Sequence, residues 1–172
     1  MTHCILIGAP VDSGQQRPGC LMGPAAYRVA RLPDTLAALG HTVEDRGDLT
    51  PGELGSETVA NPAVHHLSET LGWTREIARA GRDACGSGLP IFLGGDHSLS
   101  LGSVSGVAAH AQSVGRPLFV LWLDAHSDIH TPVTTQSGNL HGTPLAYLAG
   151  RPGFDHFPAF PAPVPEANIC LF

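Results

Sequence analysis

The sequence lacks any apolar window of about 18 residues or more, which excludes a helix crossing a bilayer, and no membrane role is expected. The start, Met1 to Cys4, has neither the basic residues nor the long apolar core of a secretory signal, so a cytoplasmic protein is expected. There is no C-x-x-C pair. Cys4, Cys20, Cys85 and Cys170 lie far apart, a spacing that fits neither a small disulfide scaffold nor a structural zinc site, and four reduced thiols are expected. Basic charge is scarce: nine Lys plus Arg face 15 Asp plus Glu, a net charge of −6. Phosphates need a basic face, so nucleic acid is excluded as the main partner. The 21 Gly and 15 Pro show no repeat period and mean many turns, while apolar runs alternating with polar ones argue against disorder. Ten His, more than all Lys and Arg together, direct attention to where they sit.

What is present is a globular pattern. With 42% of 172 residues hydrophobic, residues 1–172 can bury one core and are read as one domain unit. Cys4 to Ile7 reads as a buried strand, followed by an irregular loop over residues 11–23. A helical stretch follows Pro24, with Pro33 forcing a break or restart and Gly40 a stop. Thr42-Val43 is a weak second strand, and residues 47–61 read as loop. The spacing of Val64, Leu67, Leu71, Ile77, Ala80 and Ala84 predicts an amphipathic helix over about residues 63–84. Pro90 to Leu93 is a third strand, Ser98 to about Gln112 a helix, and Leu118 to Leu123 (LFVLWL) a central strand. Apolar strands alternating with helices predict a mostly parallel α/β sheet with helices on both faces, a three-layer α/β/α arrangement. Residues 152–165, with five Pro and three Phe, read as a rigid surface loop. Asn168 to Phe172 looks like a strand just starting, and a domain ending there reads as lacking its C-terminal half.

Two clusters follow the two best strands: Gly94-Gly95-Asp96-His97-Ser98 and Asp124-Ala125-His126-Ser127-Asp128. Ligands of open α/β sheets gather outside the carboxyl ends of the strands, where both clusters fall. In an extended segment alternate residues share a face, so Asp124, His126 and Asp128 can project together. A polar turn capping the next element is the plainer alternative, and Asp96 or Ser98 can cap the helix that follows. Taken together, His97, Asp124, His126 and Asp128 point to metal, with Asp96 as a cap or a residue orienting His97. Two carboxylates and two imidazoles without a thiolate suit Mn²⁺, Fe²⁺, Co²⁺ or Zn²⁺.

GGDHS (94–98), DAHSDIH (124–130) and SGNLHGTP (137–144) resemble three signature motifs of the arginase, or ureohydrolase, family. GAPVDSGQQRPGC (8–20) and GDL (47–49) also resemble its amino-terminal segments, so the likeness runs over essentially the whole chain. The resemblance implies two Mn²⁺ ions per complete site, with His97, Asp124 and Asp128 on one, His126 on the other and Asp124 bridging. It implies that Thr131 to His141 is the substrate loop, with His130, Thr135, Ser137 and Asn139 as substrate-binding residues. His141 and Asp128 would be the catalytic residues, His141 as the acid–base group near the departing amine. The reaction implied is hydrolysis of L-arginine to L-ornithine and urea by a metal-bridged hydroxide, in a homo-oligomer (trimer or hexamer). His130 stands where many arginases have Asn, a departure that bears on the substrate contacts.

Complete family members supply two further carboxylates from a later Asp-x-Asp motif. After residue 128 this chain has no such motif, and Asp155 is the only remaining Asp. Two alternatives therefore stand beside the arginase reading: a non-catalytic metal-binding fragment, and a ureohydrolase for another guanidino compound such as agmatine or guanidinobutyrate.

Overall fold

The computed structural model describes residues 1–56 and 58–172; Glu57, within the stretch read as loop, lies outside the described residues. Strand β1 (His3–Ala9) is flanked by β2 (Thr42–Asp48) and β3 (Leu89–Gly94), giving the parallel order β2-β1-β3. Cys4 through Ala9 are all buried, which explains why the run is apolar at every position rather than alternating. Ile5 and Ile7 face Ala80 and Ala84 of helix α3 (Leu67–Cys85). On the opposite face, a Cβ on Gly8 would lie 3.1 Å from the guanidinium of Arg28, in helix α1 (Gly23–Val29). Helices thus cover both faces, and the parallel sheet with helices expected from the alternation is what forms.

Pro33 restarts the chain as helix α2 (Leu32–Ala38), entered through Arg31 at φ 61°. Strand β2 runs to Asp48 and is longer than the Thr42-Val43 pair suggests. As an edge strand it needs no continuous apolar run. Its acids are held by Arg28, at 2.7 Å from Asp45 and 2.6 Å from Asp48. Helix α3 begins at Leu67, four residues later than its apolar spacing implied, because His66 adopts φ 52°. Helix α4 (Leu99–Ser113) packs on α3 through small residues: Cβ atoms on Gly102 and Gly106 would lie 2.7 and 2.3 Å from the carbonyl oxygens of Thr74 and Ala78.

Strand β4 (Val120–Trp122) pairs in parallel with β5 (Ile169–Leu171) in a separate two-stranded sheet. Among the described residues it is not the central strand that LFVLWL suggests. Only one of its edges is paired, and Phe119, Leu121 and Leu123 are 70%, 63% and 69% exposed. On the inner face Trp122 is buried, and Leu118 and Val120 are partly buried against the core. All four cysteines are free thiols, and no helix among the described residues is long and apolar enough to cross a membrane.

The Pro/Phe-rich segment is not a surface loop alone, because its aromatic side chains enter the core. Phe154, Phe157 and Phe160 surround Tyr147 of helix α5 (Pro144–Leu148), with ring centroids 5.3, 5.5 and 5.4 Å away. The Tyr147 hydroxyl donates to the Pro158 carbonyl at 2.6 Å, and burial pushes its pKa up to about 12. Because the folded pKa exceeds the usual value of about 10, this contribution to stability is complete below pH ~10 and is lost as pH rises through the folded pKa. Between pH 9 and 11 wild type should therefore lose roughly 1 kcal/mol more than Tyr147→Phe, measured by urea denaturation. Equal losses in the two proteins would show that Tyr147 ionises without cost.

Candidate metal and substrate site

The loop after β3 is built around Asp96. Its buried carboxylate accepts from the Gly14 amide at 2.8 Å and from the Ser98 amide at 2.7 Å. The first bond draws the glycine-rich loop after β1 against the start of α4; the second fixes the turn that carries His97. A Cβ on Gly14 would lie 2.5 Å from Ser98, so only glycine fits between them. The Gly14 carbonyl in turn accepts from the His141 amide at 2.9 Å, tying the third motif to the first two. Asp96 thus sets the turn that carries His97 and does not cap α4, whose N-cap is Ser98 with no side-chain cap bond.

After β4, the Asp124 amide donates to the Phe172 carbonyl at 3.2 Å, so β5 anchors the point where the second cluster begins. Beyond it the chain is not extended. The His126 amide donates to Asp124 Oδ1 at 2.7 Å, and Asp128 has φ 48°. Asp124, His126 and Asp128 therefore do not share a face by strand alternation; a turn, not a strand tip, brings Asp124 and Asp128 together. The Asp128 carbonyl accepts from the amides of Leu145 and Ala146 at the start of α5, at 3.0 and 3.2 Å. These bonds hold the left-handed backbone in place.

The result is a three-donor cluster. His97 Nδ1 lies 2.9 Å from Asp128 and 3.5 Å from Asp124, and one ligand atom from each of the three residues lies within 4.8 Å of the others. Asp128 is nearly buried, and Trp122 Nε1–H donates to it at 3.2 Å. His97 is held above its ordinary pKa, first by its hydrogen bond to Asp128 and then by the surrounding carboxylates, against the opposing effect of burial. Asp124 is held below the usual carboxylate range, chiefly by the His126 amide. Clustered carboxylates that favour a cation, with an imidazole between them, are the electrostatics of a divalent-ion site.

His126 stands apart from this group. Its ring is 84% exposed, with Nδ1 3.2 Å from Asp124 Oδ1. The turn at 124–126 places its side chain outward, beside the oxygen of Asp124 that does not face His97.

Asp128, His97, Asp124 and His126 share one cavity of about 410 Å³ with His130, Thr135, Ser137, Asn139 and His141. Within the loop, the buried Thr135 hydroxyl accepts from the Gly138 amide at 3.2 Å, and Asn139 Oδ1 is buried without a hydrogen-bond partner among the described residues. Ser137 and His130 are exposed. Sequence reasoning missed Trp122, which was absorbed into an apolar run, and Gly14, which looked like one more loop glycine. The indole donor two residues before Asp124 was a signal that could have been read.

The arginase family model matches residues 2–164. An arginase of Agrobacterium fabrum is 50% identical over 169 residues, covering 98% of this chain and 52% of that protein. Among solved structures, the arginase from Bacillus caldovelox superposes with a TM-score of 0.84 at 33% identity, covering 99% of this chain and 57% of that one. The Entamoeba histolytica arginase in complex with L-ornithine superposes at 0.80 with 26% identity, covering 99% and 57%. The chain spans about half the length of the relatives it matches. The match spans β1, the His97–Asp124–Asp128 cluster and the 131–141 loop, and the chain belongs to the arginase family.

Proposed function

We propose that this chain carries the metal cluster and substrate loop of a manganese-dependent arginase that hydrolyses L-arginine to L-ornithine and urea. The observation that carries this reading is the convergence of His97, Asp124 and Asp128 in a cavity shared with the hydroxyl and amide groups of the 131–141 loop. The donor set fits a hard divalent cation: two carboxylates, one already deprotonated in preference, and one imidazole, with no thiolate in the group. His126, beside the second oxygen of Asp124, is the proposed ligand of a second ion. Manganese held there would lower the pKa of water and so supply a nucleophile near neutral pH.

The remaining steps belong to the protein. Ser137, Asn139 and His130, which line the cavity, are proposed to donate to the α-carboxylate of arginine, which would leave the guanidinium end towards the Asp124–Asp128 cluster. Opposite charge attracts that end. His141, anchored by its amide to Gly14, is proposed to deliver a proton to the departing amine. The substrate is read as arginine because hydroxyl and amide donors match a carboxylate, which agmatine lacks.

The test is urea release from L-arginine with Mn²⁺, by this chain alone and by this chain joined to the second half of the Agrobacterium relative. The joined protein is expected to release urea, and the chain alone little or none. Absence of urea from the folded, manganese-loaded joined protein would overturn the reading. In that protein Ser137→Ala should raise KM for arginine roughly tenfold, the worth of one hydrogen bond to a charged group, with kcat little changed. An unchanged KM would remove Ser137 from the carboxylate contacts.

A further inference from the structure

Resting on the reading of residues 131–141 as a substrate loop, we propose that Asn61 is the positioning residue that sets this loop's conformation. Asn61 lies far from the loop in sequence, on the segment leading into α3. Its Nδ2 donates to the carbonyls of both Pro132 and Thr135, at 3.0 and 2.8 Å. Its Oδ1 accepts from the Ala63 amide at 3.1 Å. The two carbonyls and the amide fix the orientation of the carboxamide, since the flipped form would set oxygen against oxygen and nitrogen against N–H.

A second, independent contact lies beside this clasp. Gly138 has φ +75°, and a Cβ there would lie 1.7 Å from the Ala63 carbonyl oxygen. The backbone of the loop thus rests directly on the residue that Asn61 itself holds. Leu67, at the start of α3, and Leu140, at the end of the loop, belong to one buried cluster, so both ends of this arrangement are set in core. Ser137 and Asn139 flank Gly138, so the clasp fixes where their polar groups stand relative to His97, Asp124 and Asp128.

The chemistry requires this residue type. A primary amide alone offers two N–H donors and an acceptor on so short a stem. Pro62 biases the backbone of Asn61 away from helix, which leaves the side chain free to reach across. Aspartate at this position would put a carboxylate against two carbonyl oxygens, and alanine would leave both without a donor.

The experiment is ¹⁵N NMR of the chain. In wild type the side-chain amide protons of Asn61 should exchange slowly and show Overhauser contacts to Pro132 and Thr135. In Asn61→Asp and Asn61→Ala, amide shifts should be concentrated in residues 131–141, with exchange at Thr135 and Gly138 at least tenfold faster. In the joined enzyme the same variants should raise KM for arginine about tenfold and leave kcat and the Mn²⁺ requirement within twofold. Wild-type side-chain protons that exchange freely without those contacts would overturn the proposal, even if neither variant folds. So would variant shifts that spread evenly over the protein, or kcat and KM changing together. Failure of the joined wild type to hydrolyse arginine would count against the substrate reading, whereas the NMR result decides the clasp by itself.

Discussion

Asp128→Asn is expected to weaken Mn²⁺ binding by this chain at least about 100-fold, or ~2.7 kcal/mol, measured by calorimetric titration. Asp128 is the most buried member of the three-donor cluster and the one closest to His97. Manganese lies at the weak end of the divalent affinity order and depends on ligand charge, so replacing a carboxylate by an amide removes the largest attraction. Asparagine is the informative substitute because Asp128 has φ 48°, a conformation that Asn adopts readily and Ala does not. Its amide oxygen can also keep the hydrogen bond from Trp122. The thermal midpoint of the metal-free variant should therefore stay within a few degrees of wild type. A loss of affinity below threefold would take Asp128 out of the ligand set.

The second large effect is expected at Gly138→Ala, with a loss of roughly 2–4 kcal/mol in stability of the 131–141 loop. A left-handed backbone costs a residue with a Cβ about 1 kcal/mol. The larger part comes from the Ala63 carbonyl, which a Cβ would approach to 1.7 Å, and a backbone atom cannot turn aside as a flexible side chain can. The strain should appear as local opening, because the rest of the core does not depend on this contact. Hydrogen exchange at residues 135–141 would rise while urea denaturation of the whole chain moves less. Gly142 is the control: a Cβ there meets nothing within 4 Å, and Gly142→Ala should exchange like wild type. Similar exchange in the two alanine variants would refute the close packing at Gly138.

The sheet was legible where burial is two-sided. Cys4 to Ile7 are apolar because neighbours cover them on both faces; Pro90 to Leu93, half-buried up to the buried Leu93, carry enough of the same pattern, and both runs are strands. β2 was half-hidden, since an edge strand stabilised by Arg28 carries Glu, Asp and Arg, which no apolar pattern reveals. LFVLWL misled in the opposite direction. Its composition matches a strand covered on both sides, while three of its side chains are exposed over a chain half the length of its relatives. Phe154, Phe157 and Phe160 belong with the core because Tyr147 provides a ring for each to pack against, a tertiary fact with no local signature.

At the site, residue types were more readable than geometry. His97, Asp124 and Asp128 stood out as oxygen and nitrogen donors following strands, and the structure gathers these three. The expected mechanism of convergence, strand alternation, was wrong, because the carboxylate of Asp124 captures the His126 amide and bends the chain. That same bend leaves His126 outside the cluster. Gly14, Trp122 and Asn61 act by hydrogen bonds between segments distant in sequence, or hidden within an apolar run, and such pairings are not written in spacing.

The most direct test of the metal assignment is anomalous scattering at the manganese edge from crystals of the chain grown with Mn²⁺. One peak should lie within coordination distance of His97 Nδ1 and of carboxylate oxygens of both Asp124 and Asp128. A saturated crystal with its manganese elsewhere, or with none in the cavity formed by these side chains, would contradict the account.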